Sequence, residues 1–156
     1  MEITSSYNIK ASSTGARNGL VMAENVSPSI AFSAPRRSQG QPGYWTPEHF
    51  LVAAVASCFV STFSWMATAT KFEFISFNLE VQGMVEKDEM GWKFKEVVLR
   101  PRLKIVRAKD ADRGNRLLAK AKRNCLIGRS LACPLSMESE ITISTELAAA
   151  QSNADL

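Results

Sequence analysis

The spacing of hydrophobic and polar positions changes character several times along the chain, and each change predicts an element. From Ser6 to Ala34 short polar and β-branched runs alternate with turn signals, and Asn18-Gly19 marks a two-residue hairpin between Ile9–Ser13 and Leu20–Ala23. Two or three antiparallel strands are expected there. Residues 35–45 (PRRSQGQPGYW) hold two Pro and two Gly without periodicity, which reads as a surface loop. The loop ends at a helix start: Thr46 is a good N-cap, Pro47 suits the first helical position, and Glu48 suits the positive end of the helix dipole. That helix is predicted from Pro47 to about Thr70. Beyond it the period falls to two, with Ile75, Phe77, Leu79 and Val81 on one face, a turn at Lys87–Gly91, and a second arm from Trp92 to Val106. In this arm Arg100, Arg102 and Lys104 alternate with Leu99, Leu103 and Ile105, the pattern of a sheet with one wet face. A second helix is predicted from Asp110 to Leu131, with Leu117, Leu118, Ala121 and Cys125 on its apolar side and Arg113, Arg116, Lys120 and Arg123 on another. Met137 to Thr145 alternates again as a last strand, and residues 147–156 read as a frayed tail. The order is that of an α+β fold.

Length and composition narrow the chemistry. With 156 residues, one compact domain spanning 1–156 is expected. The one histidine, His49, excludes multi-histidine metal sites, so chemistry must run on thiols, carboxylates or guanidinium. No bound cofactor or metal is expected. Three cysteines are too few for a disulfide scaffold and odd in number, which suits a reducing, cytoplasmic setting. The N-terminal stretch lacks a basic region leading into an apolar one, so no secretory signal is expected. The 22 uncharged residues from His49 to Thr70 have the length of a membrane span, but Ser and Thr interrupt them and no Lys/Arg cluster flanks them. A helix apolar on nearly all sides belongs in a core or at a subunit interface. Residues 87–129 contain 14 Lys/Arg and 5 Asp/Glu, a local excess above the +4 of the whole chain. Aromatic side chains are not interleaved with these charges, so nucleic-acid binding is disfavoured against a solvated basic face.

Cys58 and Cys125 each sit on a predicted core helix, where a free cysteine is usually an inert small hydrophobe; facing each other they make a redox pair plausible. Three stretches then resemble one family. The string Thr46-Pro47-Glu48 leads into a helix carrying Ala53-Ala54 and Ser57-Cys58-Phe59. Ala119-Lys120-Ala121-Lys122-Arg123-Asn124-Cys125 is followed by Arg129-Ser130-Leu131, and the turn Thr14-Gly15-Ala16-Arg17-Asn18-Gly19 precedes both. Together they resemble the OsmC/Ohr family, the osmotically inducible and organic hydroperoxide resistance proteins, over about residues 8–146. The resemblance implies an intertwined homodimer in which antiparallel sheets pack on two long central helices. It also implies a thiol peroxidase with Cys58 as peroxidatic nucleophile, Cys125 as resolving thiol, and Arg17 with Glu48 as the activating pair. A small-molecule hydroperoxide would be the substrate, and an external dithiol of lipoyl type, free or on a lipoylated protein, the reductant. Trp45, Phe50, Phe59 and Met66 are candidates for an apolar substrate pocket. Two departures stand out: Leu126 follows Cys125 where many relatives have Pro, and the extra Cys133 is a rival resolving thiol. A dimeric ligand-binding protein of the same fold without turnover is the alternative.

Helix geometry adds a constraint. Glu48 and Cys58 are ten positions apart, about 15 Å along one straight helix and roughly 80° around it. The expectation is therefore that an Arg17–Glu48 pair serves Cys58 of the other subunit.

Overall fold

The computed structural model describes residues 5–144, and the predicted tail at 147–156 lies outside the described residues. The chain divides into two compact units, residues 1–51 and 52–156.

The first unit is a three-stranded antiparallel meander of β1 (Ile9–Ser13), β2 (Asn18–Ala23) and β3 (Val26–Ser33). The first hairpin forms as expected, but its turn is Thr14–Arg17, closed by the Thr14 N–H on the Asn18 carbonyl at 3.0 Å. Asn18 and Gly19 belong to β2 instead. Gly19 is needed for close packing: a Cβ there would lie 2.4 Å from Phe32 Cζ and 2.7 Å from the Ser12 carbonyl oxygen. The second hairpin turns at Glu24-Asn25, with Asn25 at φ 58°. After β3 the chain makes a 3₁₀ turn at Arg36–Ser38 and returns past β3, where the Ser33 N–H donates to the Trp45 carbonyl at 2.8 Å.

Helix α1 (Pro47–Ala69) begins and ends within a residue of the predicted bounds. Its cap is reciprocal: the Thr46 N–H donates to His49 Nδ1 at 3.0 Å, and the Thr46 hydroxyl faces the His49 N–H. The single histidine is therefore part of a helix cap. By length and composition α1 could cross a membrane, at mean hydropathy 1.8. Within the second unit it instead supplies a core stripe, Val55, Phe59, Phe63 and Ala67, each four residues apart.

The rest of the second unit is built around β4 (Ser76–Asp88) and β5 (Gly91–Ile105), an antiparallel hairpin with the predicted two-face alternation. Phe77, Leu79 and Val81 join the core, and Phe63 stacks on Phe77 with ring centroids 4.1 Å apart. On the wet face Arg100 and Arg102 pair with Glu138 and with Glu80 and Glu140. The final strand differs from expectation. It is split into β6 (Leu135–Met137) and β7 (Glu140–Ile143), and both run parallel to β5, so the sheet is mixed. Fifteen residues of β5 leave room for two short strands in tandem on its second edge.

The second helix is also shorter than predicted. Helix α2 spans Ala111–Asn124 and buries Leu117, Leu118 and Ala121; Cys125 turns to φ −64°, ψ 110°, and a single turn, α3 (Leu126–Arg129), follows. The break is held by Cys125 itself, whose sulfur accepts the Gly128 N–H at 3.4 Å as a cap.

Candidate functional site

In the second unit the break between α2 and α3 shapes the surroundings of Cys58. Had the helix continued, the N–H groups of Leu126 and Ile127 would be spent on the carbonyls of Lys122 and Arg123, four residues back. The extended Cys125 releases them, and both favour the ionised form of the Cys58 thiol. Burial opposes ionisation of the partly buried Cys58. Hydrogen bonds from the Ile127 N–H, the Cys125 thiol, Thr62 and the Leu126 N–H outweigh it, and the Cys58 pKa falls below the ordinary value. Thr62 donates its one hydroxyl proton to the Cys58 carbonyl at 2.8 Å, so the backbone N–H groups and Cys125 carry most of the effect.

Cys125 is shifted the other way. It is fully buried, and burial pushes its thiol up to about 11; the neighbouring Cys58 sulfur adds to the shift and the Gly128 N–H opposes it. The two thiols thus influence each other in opposite directions, Cys125 staying protonated and favouring the ionised form of Cys58. Both thiols are free, as is Cys133, which packs at the border of the core. The arrangement is one ionisable nucleophile supported by N–H donors with a protonated thiol facing it, as thiol–disulfide chemistry requires. No cluster of metal-ligating side chains occurs among the described residues.

The first unit holds the charged residues, and their pairing differs from expectation. Glu48 does not pair with Arg17; its Oε1 takes a hydrogen-bonded ion pair from Arg37. Burial works against the Glu48 charge, but hydrogen bonds from Arg37, its own N–H and Thr46 keep its pKa below the usual carboxylate value. Arg17 instead donates from Nη1 to the carbonyls of Ser38 and Gln39, at 3.1 and 3.2 Å, and to Gln39 Oε1 at 2.7 Å. It fastens the loop that carries Arg37. The physical reason lies in that loop. Gln39 is left-handed (φ 60°) and Gly40 lies so close to Ala34 that a Cβ would sit 1.5 Å from its carbonyl oxygen, so the chain reverses and brings Arg37 to the start of α1. Arg37 is the residue that sequence reasoning missed, because a loop without periodicity gives no sign of which of its two adjacent arginines turns inward.

Of the four aromatic and thioether candidates, Phe59 and Met66 are core residues, 0% and 6% exposed. Their seven-residue spacing puts both on the buried stripe of α1. Trp45 stacks on Phe50 with centroids 5.6 Å apart and, with Gly43, Tyr44 and His49, lines a shallow hollow of about 200 Å³.

Comparison with known proteins agrees with the resemblance seen in the sequence. An uncharacterized protein of Bacillus subtilis, YmaD, is 25% identical over 143 residues, covering 88% of this chain and 93% of its own length. An OsmC-like protein of unknown function from Vibrio cholerae superposes with TM-score 0.77 at 19% identity over 87% of this chain and 99% of its own. An organic hydroperoxide resistance protein OsmC from Legionella pneumophila gives 0.72 at 22%, over 91% and 100%. The family profile described as OsmC-like protein matches residues 40–140, which include Glu48, Cys58 and Cys125, and the chain is a member of that family.

Proposed function

We propose that this protein is a thiol-dependent peroxidase that reduces organic hydroperoxides. One observation carries the reading: Cys58 is held towards its thiolate by the Ile127 and Leu126 N–H groups while protonated Cys125 faces it. Names of structural neighbours, such as the Legionella pneumophila organic hydroperoxide resistance protein, support it. In the proposed cycle the Cys58 thiolate attacks the distal peroxide oxygen, the O–O bond breaks, and the alkoxide leaves as the alcohol after taking a proton. Cys58 is then a sulfenic acid. The Cys125 sulfur attacks it, water departs, and a Cys58–Cys125 disulfide remains. Two thiol–disulfide exchanges with an external dithiol of lipoyl type restore both thiols and leave that dithiol oxidised.

A guanidinium beside the reacting oxygens stabilises the departing alkoxide. Arg37, fixed by Glu48, takes this role in the proposal, and Arg17 acts by positioning the Arg37 loop. Because α1 separates Glu48 from Cys58 by nearly three turns, the pair serves Cys58 of a second copy, which makes the homodimer necessary for activity. Cytoplasmic residence is part of the same reading, since the cycle needs reduced thiols.

The test is a coupled assay of the purified full chain with tert-butyl hydroperoxide and dihydrolipoamide. Dithiol-dependent turnover is expected, abolished in Cys58→Ser. In Cys125→Ser one equivalent of hydroperoxide should be consumed, leaving a dimedone-reactive Cys58. Absence of dithiol-dependent turnover in the wild type overturns the proposal.

A further inference from the structure

Beside the Cys125 turn lies a groove that the proposed peroxidase cycle does not use. It is about 350 Å³ in volume and is lined by Ala119, Lys122 and Arg123 of α2, Gly128 and Arg129 of α3, and Leu135 and Met137 of β6. Its composition follows from local geometry. Positions 119, 122 and 123 are spaced three and four apart, so they share one face of α2. Leu135 and Met137 are two apart on a strand and face the same way, while Ser136 between them turns to the other side and bonds Glu96 Oε1 at 2.5 Å. Gly128 closes the end. A Cβ there would lie 2.7 Å from Leu135 Cδ2, so glycine lets α3 approach β6 and gives the groove its depth.

The charge of this groove is one-sided. Three of its seven lining residues are cations and none is an acid. Neither Lys122, Arg123 nor Arg129 takes part in an ion pair among the described residues, although the arginines of β5 are paired with Glu80, Glu138 and Glu140. Lys122 and Arg123 sit in the last turn of α2, where they complement the helix dipole. That role requires neither a groove nor Arg129 on a separate turn. An apolar floor bordered by three cations that form no ion pair among the described residues is the chemistry of a site for a small amphipathic anion.

We propose that this groove binds a small organic anion, a carboxylate or phosphate head held by Lys122, Arg123 and Arg129 with an apolar body lying on Leu135 and Met137. The site stands apart from the peroxidase reading and does not depend on Cys58. Gly128 joins the two, since its N–H caps the Cys125 sulfur while its backbone lines the groove.

Isothermal titration of the reduced full chain with decanoate and decyl phosphate, against decanol and inorganic phosphate, tests this. Saturable binding of at least one alkyl anion is expected, with decanol and inorganic phosphate each roughly tenfold weaker or undetectable; the tighter alkyl anion identifies the preferred head. The triple variant Lys122→Gln/Arg123→Gln/Arg129→Gln should lose about tenfold or more in affinity, and Cys58→Ser should lose none. Raising NaCl from about 0.05 to 0.5 M should weaken wild-type binding, a readout independent of any variant's folding. No binding of either alkyl anion, equal binding of decanol, or affinity insensitive to both the triple variant and salt overturns the proposal.

Discussion

The buried Cys125 thiol should make stability fall at high pH, and the size of the fall can be worked out. Cys125 is fully buried and its pKa is raised from 9.0 to about 11, first by burial and then by Cys58. Between those values the unfolded chain has released a proton that the folded chain retains. Unfolding is then favoured as pH rises from about 9, and the loss is complete near 11. Two units at 1.36 kcal/mol each set a ceiling of about 3 kcal/mol. Burial is the leading cause, so most of the effect should persist without the Cys58 charge. The clean comparison is therefore Cys58→Ser against Cys58→Ser/Cys125→Ala, by urea unfolding at pH 8, 9, 10 and 11. The two proteins differ only at residue 125, so the comparison isolates that thiol, and the volume lost with it adds a pH-independent offset. The stability advantage of the Cys125-containing protein, taken relative to pH 8, should shrink by about 1–3 kcal/mol by pH 11. A difference that stays constant from pH 8 to 11 refutes the claim that the fold holds Cys125 protonated.

The donor role of Cys125 separates two substitutions: Cys125→Ala should raise the midpoint of Cys58 alkylation by iodoacetamide by roughly one pH unit, while Cys125→Ser, which keeps a hydroxyl donor, should not. Equal midpoints count against Cys125 as a donor to Cys58. Phe59→Ala removes a fully buried ring 6.2 Å from Phe77 and should cost about 3–5 kcal/mol in urea unfolding; a cost below about 1 kcal/mol would place Phe59 outside the core. Gly40→Ala cannot keep the approach to Ala34 and should free Arg37 from Glu48, with kcat/KM falling about tenfold or more; unchanged turnover would remove Arg37 from the mechanism.

What the sequence disclosed was governed by local physics. Thr46-Pro47-Glu48 is a complete helix start in three residues, and α1 begins where it says. The alternation from Phe77 to Val81 and from Leu99 to Ile105 gave the β4–β5 hairpin because each strand has one buried face. The features that make the site were set by contacts distant in sequence. The apolar stripe Leu117, Leu118, Ala121, Cys125 runs on as if the helix did, and only packing of Gly128 against Leu135 and the capping of its N–H by Cys125 end α2 at Asn124. Gly128 was the one local sign of this, and a glycine inside a helical pattern is too often tolerated to decide a boundary. The Arg37–Glu48 pair was hidden for the same reason, since a left-handed Gln39 and a Gly40 pressed on Ala34 choose between Arg36 and Arg37.

The break at Cys125 bears most directly on the chemistry, because it converts two helical N–H groups into donors for Cys58. Leu126 adds a consequence of its own. A proline at this position has no N–H to give, whereas here the Leu126 N–H helps to lower the Cys58 pKa. Leu126 is two-thirds exposed, so its side chain contributes little packing and Leu126→Pro isolates the N–H. If the backbone donors hold the thiolate, the Cys58 alkylation midpoint should rise in Leu126→Pro by up to about one pH unit while far-UV circular dichroism stays unchanged. An unchanged midpoint would assign the stabilisation to Ile127 and Cys125 alone, and the break would then matter for aiming Cys125 more than for supplying donors.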